Sequence, residues 1–282
     1  MSSLFDFDAE PDAYAVMGNP ISHSKSPLIH AAFAKQTKQR MNYSAIQVDA
    51  GGFEQAVGNF RANGGKGLNI TVPFKQEAWA LVDERSERAS QAGAVNTISF
   101  GDDGHCIGDN TDGVGLARDL MENNGVELHD ARILLLGAGG AVRGVLGPMI
   151  AQHPAEIVIA NRTAEKAVAL ASEFNRGDLL RGCGFQAIGK HAFDIIVNGT
   201  AASLQGDLPP LPTTAISETT CCYDMMYGKE PTVFLHWAAE QGAAKTLDGL
   251  GMLVEQAAES FFIWRGVRPD TKEVIASIKA AL

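Results

Sequence analysis

The run Ile133-Leu134-Leu135-Leu136-Gly137-Ala138-Gly139-Gly140-Ala141-Val142 sets branched apolar residues directly before a cluster of glycines. A glycine-rich turn from a buried strand into a helix aims backbone N–H groups and the positive end of the helix at one spot, which suits a pyrophosphate. Gly137 and Gly139 fill the first two positions of a G-x-G-x-x-G/A pattern, whereas the third holds Val142. A glycine-rich junction without a ligand is the plainer alternative. A second apolar run, Glu156 to Ala160, ends in Asn161-Arg162-Thr163, with Lys166 one turn later. An NAD site would carry an acid here for the ribose hydroxyl; a cation instead favours the 2′-phosphate of NADP. One charge-assisted hydrogen bond contributes roughly 1.5–3 kcal/mol, or about ten- to hundredfold in affinity.

Other polar residues fall where elements begin. Ser24 and Ser26 precede a helix expected from Leu28 to Lys38, with Pro27 in its first turn. They suit helix capping, the simpler reading, and their hydroxyls with the helix N-terminus also suit a carboxylate. Lys75 follows Leu68-Asn69-Ile70-Thr71-Val72 and Pro73, which is expected to open a helix. Such a junction lets a side chain overhang the end of a sheet, although a single lysine is more often a solvated surface group. Asp109, Asn110, Thr111 and Asp112 all suit the cap of a helix running to about Asn123. Gln256 is a polar residue in a mostly apolar helix and could simply face solvent.

These residues need a scaffold, and the pattern supplies one. Tyr14 to Met17, Tyr43 to Val48, Leu68 to Val72 and Ala94 to Phe100 read as strands, preceded by a loose acidic leader over Met1 to Pro11. Phe53, Val57 and Phe60 share one helical face, and Asn63-Gly64-Gly65 stops that helix. Asp102-Asp103-Gly104 marks a hairpin turn, with His105 to Gly108 returning as a strand. From Asp112 to about Thr246, strands at Ile133, Glu156, Phe193 and Cys222 alternate with helices, the mark of a doubly wound α/β domain. Its ligand crevice belongs beyond the carboxyl ends of the strands. Two helices close the chain, Leu250 to Trp264 and about Thr271 to Leu282.

The net charge of −10 argues against a nucleic-acid partner and leaves an anionic ligand dependent on local cations, hydroxyls and helix ends. Cys106, Cys183, Cys221 and Cys222 form no C-x-x-C pair and no zinc-like spacing, so reduced thiols in a cytoplasm are expected. No signal peptide and no membrane-spanning run is expected.

Taken in order, the motifs resemble those of the shikimate dehydrogenase family along nearly the whole chain. They are Gly18-Asn19-Pro20, His23-Ser24-Lys25-Ser26-Pro27, Asn69-Ile70-Thr71-Val72-Pro73-Phe74-Lys75, Gly93-Ala94-Val95-Asn96-Thr97 and Gly108-Asp109-Asn110-Thr111-Asp112-Gly113. Then come Gly137-Ala138-Gly139-Gly140-Ala141, Asn161-Arg162-Thr163, Tyr223-Asp224-Met225 and Asp248-Gly249-Leu250-Gly251-Met252-Leu253. Each is weak alone; the ordered set is specific.

The resemblance implies NADPH-dependent, reversible reduction of 3-dehydroshikimate to shikimate in aromatic amino-acid biosynthesis. It implies an α/β substrate domain, 1–111 plus 249–282, and a Rossmann-type doubly wound NADP-binding domain, 112–248, with a cleft between them. The catalytic pair would be Lys75 and Asp112, with Lys75 polarising the carbonyl and donating a proton. Ser24 and Ser26 would bind the substrate carboxylate, Asn69, Thr71, Asn96 and Gln256 the ring hydroxyls, and Tyr227 would stand near the substrate. Gly137, Ala138, Gly139, Gly140, Ala141, Asn161, Arg162, Thr163, Lys166, Met225 and Gly249 would serve the cofactor, with no metal. The molecule would be a monomer or homodimer.

Two departures stand out. Asn198-Gly199-Thr200-Ala201-Ala202-Ser203 replaces the family's frequent Asn-Ala-Thr-Ser-Ser-Gly beside the nicotinamide, and Lys166 replaces a frequent second arginine, keeping the charge without the planar fork. A quinate/shikimate dehydrogenase using NAD, and a non-catalytic ligand-binding regulator, are the competing readings; Arg162 counts against the first, and the presence of Lys75 and Asp112 against the second.

Overall fold

The structure is a computed structural model that describes residues 10–200 and 206–282. Part of the expected leader, and Ala201, Ala202 and Ser203 of the departing loop, lie outside the described residues.

The first stretch of chain runs β1 (Asp12–Gly18), α1 (Ser26–Thr37), β2 (Met41–Gln47), α2 (Phe53–Ala62), β3 (Gly65–Ile70), α3 (Lys75–Leu81), β4 (Glu84–Arg85), α4 (Glu87–Ala92), β5 (Thr97–Phe100) and β6 (Cys106–Asp109). Its strands form one sheet in the order β2-β1-β3-β5-β6-β4. β3–β5 and β5–β6 are antiparallel and the other pairs parallel. Phe53 and Val57 of α2 pack with Leu68, Ile70, Phe74 and Ile98 under this sheet. The hairpin expected at Asp102-Asp103-Gly104 is present, with Gly104 at φ 82°.

The chain continues through α5 (Asp112–Arg118), β7 (Arg132–Leu136), α6 (Gly140–Ile150), β8 (Glu156–Asn161), α7 (Ala164–Phe174), β9 (Leu180–Gly184), β10 (Ile195–Asn198), β11 (Cys221–Asp224), α8 (Val233–Glu240), β12 (Lys245–Leu247), α9 (Leu250–Arg265) and α10 (Lys272–Ala280). The second sheet has the order β12-β11-β10-β7-β8-β9, with every pair parallel. The continuous apolar run of β7 follows from burial on both faces. Ile133 and Leu135 meet Val142, Val145 and Leu146 of α6 on one side, while Leu134 and Leu136 meet Phe234 and Leu235 of α8 on the other. α9 and α10 return to the first sheet, where Val254, Phe261, Val274 and Ile278 pack on Ile29 and Phe33 of α1.

Local expectations shift at several element ends. α1 opens at Ser26 behind Lys25, whose side chain does not cap it. α3 starts at Lys75, not Pro73, because Thr71 to Phe74 close a turn through the Phe74 N–H to Thr71 carbonyl bond. The fourth strand begins at Thr97 rather than Ala94. α5 ends at Arg118 and passes into a single π-helical turn over Asp119–Asn123.

Candidate active site

The end of β3, the loop before α1, the first residues of α3 and α5, and one face of α9 enclose a cavity of about 350 Å³. Its wall brings together Ser24, Ser26, Asn69, Thr71, Lys75, Asn96, Asp112, Tyr227 and Gln256. Gln256, which the sequence left free to face solvent, points into this wall. Met225 and Gly249, expected at the cofactor, line the same cavity.

Lys75 Nζ donates to Asp112 Oδ2 at 2.5 Å. Both are only partly exposed, 29% and 20%, so the pair is shielded from bulk water yet open to the cavity. Each stands in the first turn of its helix. The Asp112 N–H donates to Asn110 Oδ1 at 3.1 Å, and Asn110 in turn donates to the Ala94 carbonyl. Asn96 Nδ2 holds the other carboxylate oxygen of Asp112 at 2.8 Å and also reaches Thr111 Oγ1 at 2.9 Å. Asn96 Oδ1 accepts from the Thr111 N–H and from the Thr97 hydroxyl.

The network runs on behind the wall. Asn69 Nδ2 donates to the Asn96 carbonyl, Thr97 Oγ1 and Ser260 Oγ, and Asn69 Oδ1 accepts from the Tyr43 hydroxyl at 2.7 Å. Its N–H hydrogens are thus engaged in the interior, and its oxygen is the pole left for a ligand donor. Tyr43, Thr97, Thr111 and Ser260 were not assigned site roles in the sequence. Alternation along β5 and the i, i+4 step from Gln256 to Ser260 are the signals that tie two of them to the site. Burial pushes the Tyr43 and Tyr227 hydroxyls up, so both stay protonated and can donate. Ser24 Oγ accepts the Ser26 N–H at 3.3 Å, a cap-like contact that leaves both hydroxyls on the cavity wall.

The second crevice lies where the order of the parallel sheet reverses, between β7 and β10. Gly137 has φ 106°, a backbone state that needs glycine. Added Cβ atoms on Gly139 or Gly140 would meet nothing within 4 Å, so the turn is an open cradle. α6 begins there without a side-chain cap, leaving the first N–H groups at Gly140, Ala141 and Val142 for an anion. Asn161 Nδ2 fastens the turn after β8 by donating to the Thr163 carbonyl at 2.9 Å. Arg162 and Lys166 are exposed there and make no ion pair among the described residues. This donor set fits a pyrophosphate with an additional phosphate beside it, as NADP requires. Met225 joins the two regions: its N–H donates to the Asn198 carbonyl at the end of β10, its sulfur lies against Gly199, and it lines the cavity. Among the described residues no group of three or more His, Cys, Asp or Glu could hold a metal, and no helix is long and apolar enough to cross a membrane.

Three family models match along the chain. They describe the shikimate dehydrogenase substrate binding domain over residues 16–98, shikimate / quinate 5-dehydrogenase over 116–205, and the shikimate 5'-dehydrogenase C-terminal domain over 249–279. A shikimate dehydrogenase (NADP(+)) of Alkalilimnicola ehrlichii is 56% identical over 268 residues, 95% of this chain and 98% of its own. The chain belongs to the shikimate dehydrogenase family. Among solved structures of similar proteins, the Ael1 enzyme from Pseudomonas putida superposes with a TM-score of 0.91 at 52% identity, covering 94% of this chain and 97% of its own. Shikimate 5-dehydrogenase from Thermus thermophilus, in complex with NADP(H) and shikimate, superposes with a TM-score of 0.85 at 32% identity, covering 96% of this chain and all of its own (100%). As a shikimate dehydrogenase family member, the chain carries the cavity and the doubly wound sheet within one fold.

Proposed function

We propose that the chain reduces 3-dehydroshikimate reversibly to shikimate with NADPH, through the cavity between its two sheets. The observation that carries this reading is the Lys75–Asp112 pair, 2.5 Å apart on a wall that also presents the hydroxyls and amides of Ser24, Ser26, Thr71, Asn96 and Gln256. Reduction of a ketone leaves an alkoxide, which needs a proton and a nearby positive charge. The Lys75 ammonium supplies both, polarising the carbonyl and then giving its proton to the oxygen. Asp112 holds Lys75 in place and keeps one oxygen on Asn96. Ser24 and Ser26 receive the carboxylate, and Asn69, Thr71, Asn96 and Gln256 the ring hydroxyls, with Tyr227 beside them. When bound, NADPH supplies the hydride. Gly137, Ala138, Gly139, Gly140 and Ala141 would hold its pyrophosphate, Asn161, Arg162, Thr163 and Lys166 its 2′-phosphate, and Met225 and Gly249 would complete the cofactor site. The substrate half comprises 1–111 with 249–282 and the nucleotide half 112–248. Four buried free thiols suit a reducing compartment such as the cytoplasm.

Absorbance at the NADPH band tests the reading, with shikimate or quinate and with NADP or NAD. Turnover should be fast with shikimate and NADP alone. Comparable rates with quinate or NAD would reassign the specificity, and ligand binding without turnover would leave a binding protein. Lys75→Ala should lower kcat by about a hundredfold or more while KM for shikimate changes far less, as expected when a general acid is removed. A near-wild-type kcat would remove Lys75 from the chemistry.

A further inference from the structure

We infer that Arg143 is a positioning residue that ties the nucleotide-phosphate helix α6 to the loop carrying Asn96, and through it to the Lys75–Asp112 pair; this rests on the reading above. Arg143 Nε donates to the Gln91 carbonyl at 3.1 Å, and its Nη1 donates to Glu173 on α7. The Gln91 carbonyl is in the last turn of α4, where intrahelical donors have run out, and a guanidinium there also favours the negative end of the helix. The guanidinium lies over Gly93, since a Cβ at Gly93 would sit 3.3 Å from Arg143 Nε. Gly93 caps α4 at φ 60°, and the chain reaches Asn96 three residues later. Asn96 then bonds Asp112.

The same face of α6 packs closely on the start of α5 and the end of α4. A Cβ on Gly113, the neighbour of Asp112, would be 2.7 Å from the Gly144 carbonyl. A Cβ on Gly147 would be 2.0 Å from Gln91 Oε1. These glycine contacts let α6 lie close to α4 and α5 but do not fix its position along them. Arg143 is the directional contact, and it stands in the first turn of the helix whose N-terminus would receive the pyrophosphate. Losing it would leave each ligand site intact while allowing the two reactants to be misaligned.

The test is Arg143→Met, assayed at saturating ligands together with NADPH and shikimate dissociation constants measured separately by fluorescence. The expected result is a kcat about tenfold lower, within the roughly hundredfold that a small misplacement of reactants can cost, with both dissociation constants changed less than about twofold. Arg143→Leu, which likewise has no donor for the Gln91 carbonyl, should show the same split and carries the test if the methionine variant does not fold. Glu173→Gln, which leaves the Gln91 contact, should behave as wild type. A wild-type kcat in a folded Arg143 variant, weakened NADPH binding with kcat unchanged, or the same loss in Glu173→Gln would each overturn the inference. Wild-type protein that neither binds nor turns over shikimate would overturn the parent reading and the inference with it, a result visible before any variant is made.

Discussion

Val142 and Gly199 show how one departure is answered by another. Val142 occupies the position where the dinucleotide pattern asks for a small residue, and it is fully buried. A Cβ on Gly199 would stand 2.7 Å from Val142 Cγ2 and 3.2 Å from the Met225 sulfur. The missing methyl at residue 199 therefore makes room for the valine in the crevice. Gly199→Ala should destabilise the fold by about 1–3 kcal/mol, the usual cost of overpacking, and weaken NADPH binding. Val142→Ala combined with Gly199→Ala should recover most of that loss. Urea unfolding of the single and double variants measures the coupling; additive effects would show that the two residues are independent. Lys75, Asp112 and Arg162 were legible because motif order marks them. The pairing of Lys75 with Asp112 follows from the resemblance alone: they are 37 residues apart, and no local pattern encodes a contact across that distance. Ser260 escaped for want of such a pattern, since its contacts to Asn69 and Thr97 join chain ends.

Elements brought these distant residues together, and they were unequally readable. β7 and β8 were plain because burial on both faces demands an apolar run. β9 reads Leu-Arg-Gly-Cys-Gly, which carries neither alternation nor strong strand propensity. It forms because it is an edge strand pressed beneath α7, where a Cβ on Gly182 would lie 2.1 Å from the Ala167 carbonyl. β4 and β12, with two and three residues, are too short for any periodicity. The crossing of α5 over α9 matters most to the site. A Cβ on Gly115 would be 2.8 Å from the Gln256 nitrogen and 2.9 Å from the Met252 carbonyl, both backbone atoms. Gly115→Ala must therefore part the two helices and carry Gln256 away from Asn96 and Thr111. Stability should fall by about 1–3 kcal/mol and KM for shikimate should rise several-fold, with NADPH affinity unchanged. Thermal unfolding and steady-state kinetics check both, and an unchanged KM would detach Gln256 from substrate binding.

At the scale of the molecule, the two ends of the chain meet on the first sheet, and His30 stands at that joint. Its ring stacks on Tyr43 of β2 at 4.1 Å and 6°, with Phe33 of α1 and Phe261 and Trp264 of α9 around it. It is fully buried, and neither ring nitrogen has a hydrogen-bond partner among the described residues. Burial holds the imidazole down to about 3, opposed only by the nearby Asn69 amide, which lies outside hydrogen-bond geometry. The unfolded chain, with an ordinary histidine near 6.5, takes up that proton more readily. Above about pH 6.5 both states are neutral and nothing is lost. Below it the unfolded state binds the extra proton, so stability falls by about 1.4 kcal/mol per pH unit until the folded imidazole also protonates. At pH 5 the loss amounts to about 2 kcal/mol. Glu259 adds to this at lower pH: burial opposes its charge, but hydrogen bonds from Arg268 and Arg88 win and hold its carboxyl below the usual range. That contribution is present above the ordinary glutamate value and disappears only as pH falls through the depressed one. His30→Phe keeps an aromatic ring against Tyr43 and removes the titration. Urea midpoints at pH 7, 6 and 5 should therefore decline much less steeply in the variant than in the wild type. Equal slopes would mean that the folded imidazole takes up its proton as readily as the unfolded one.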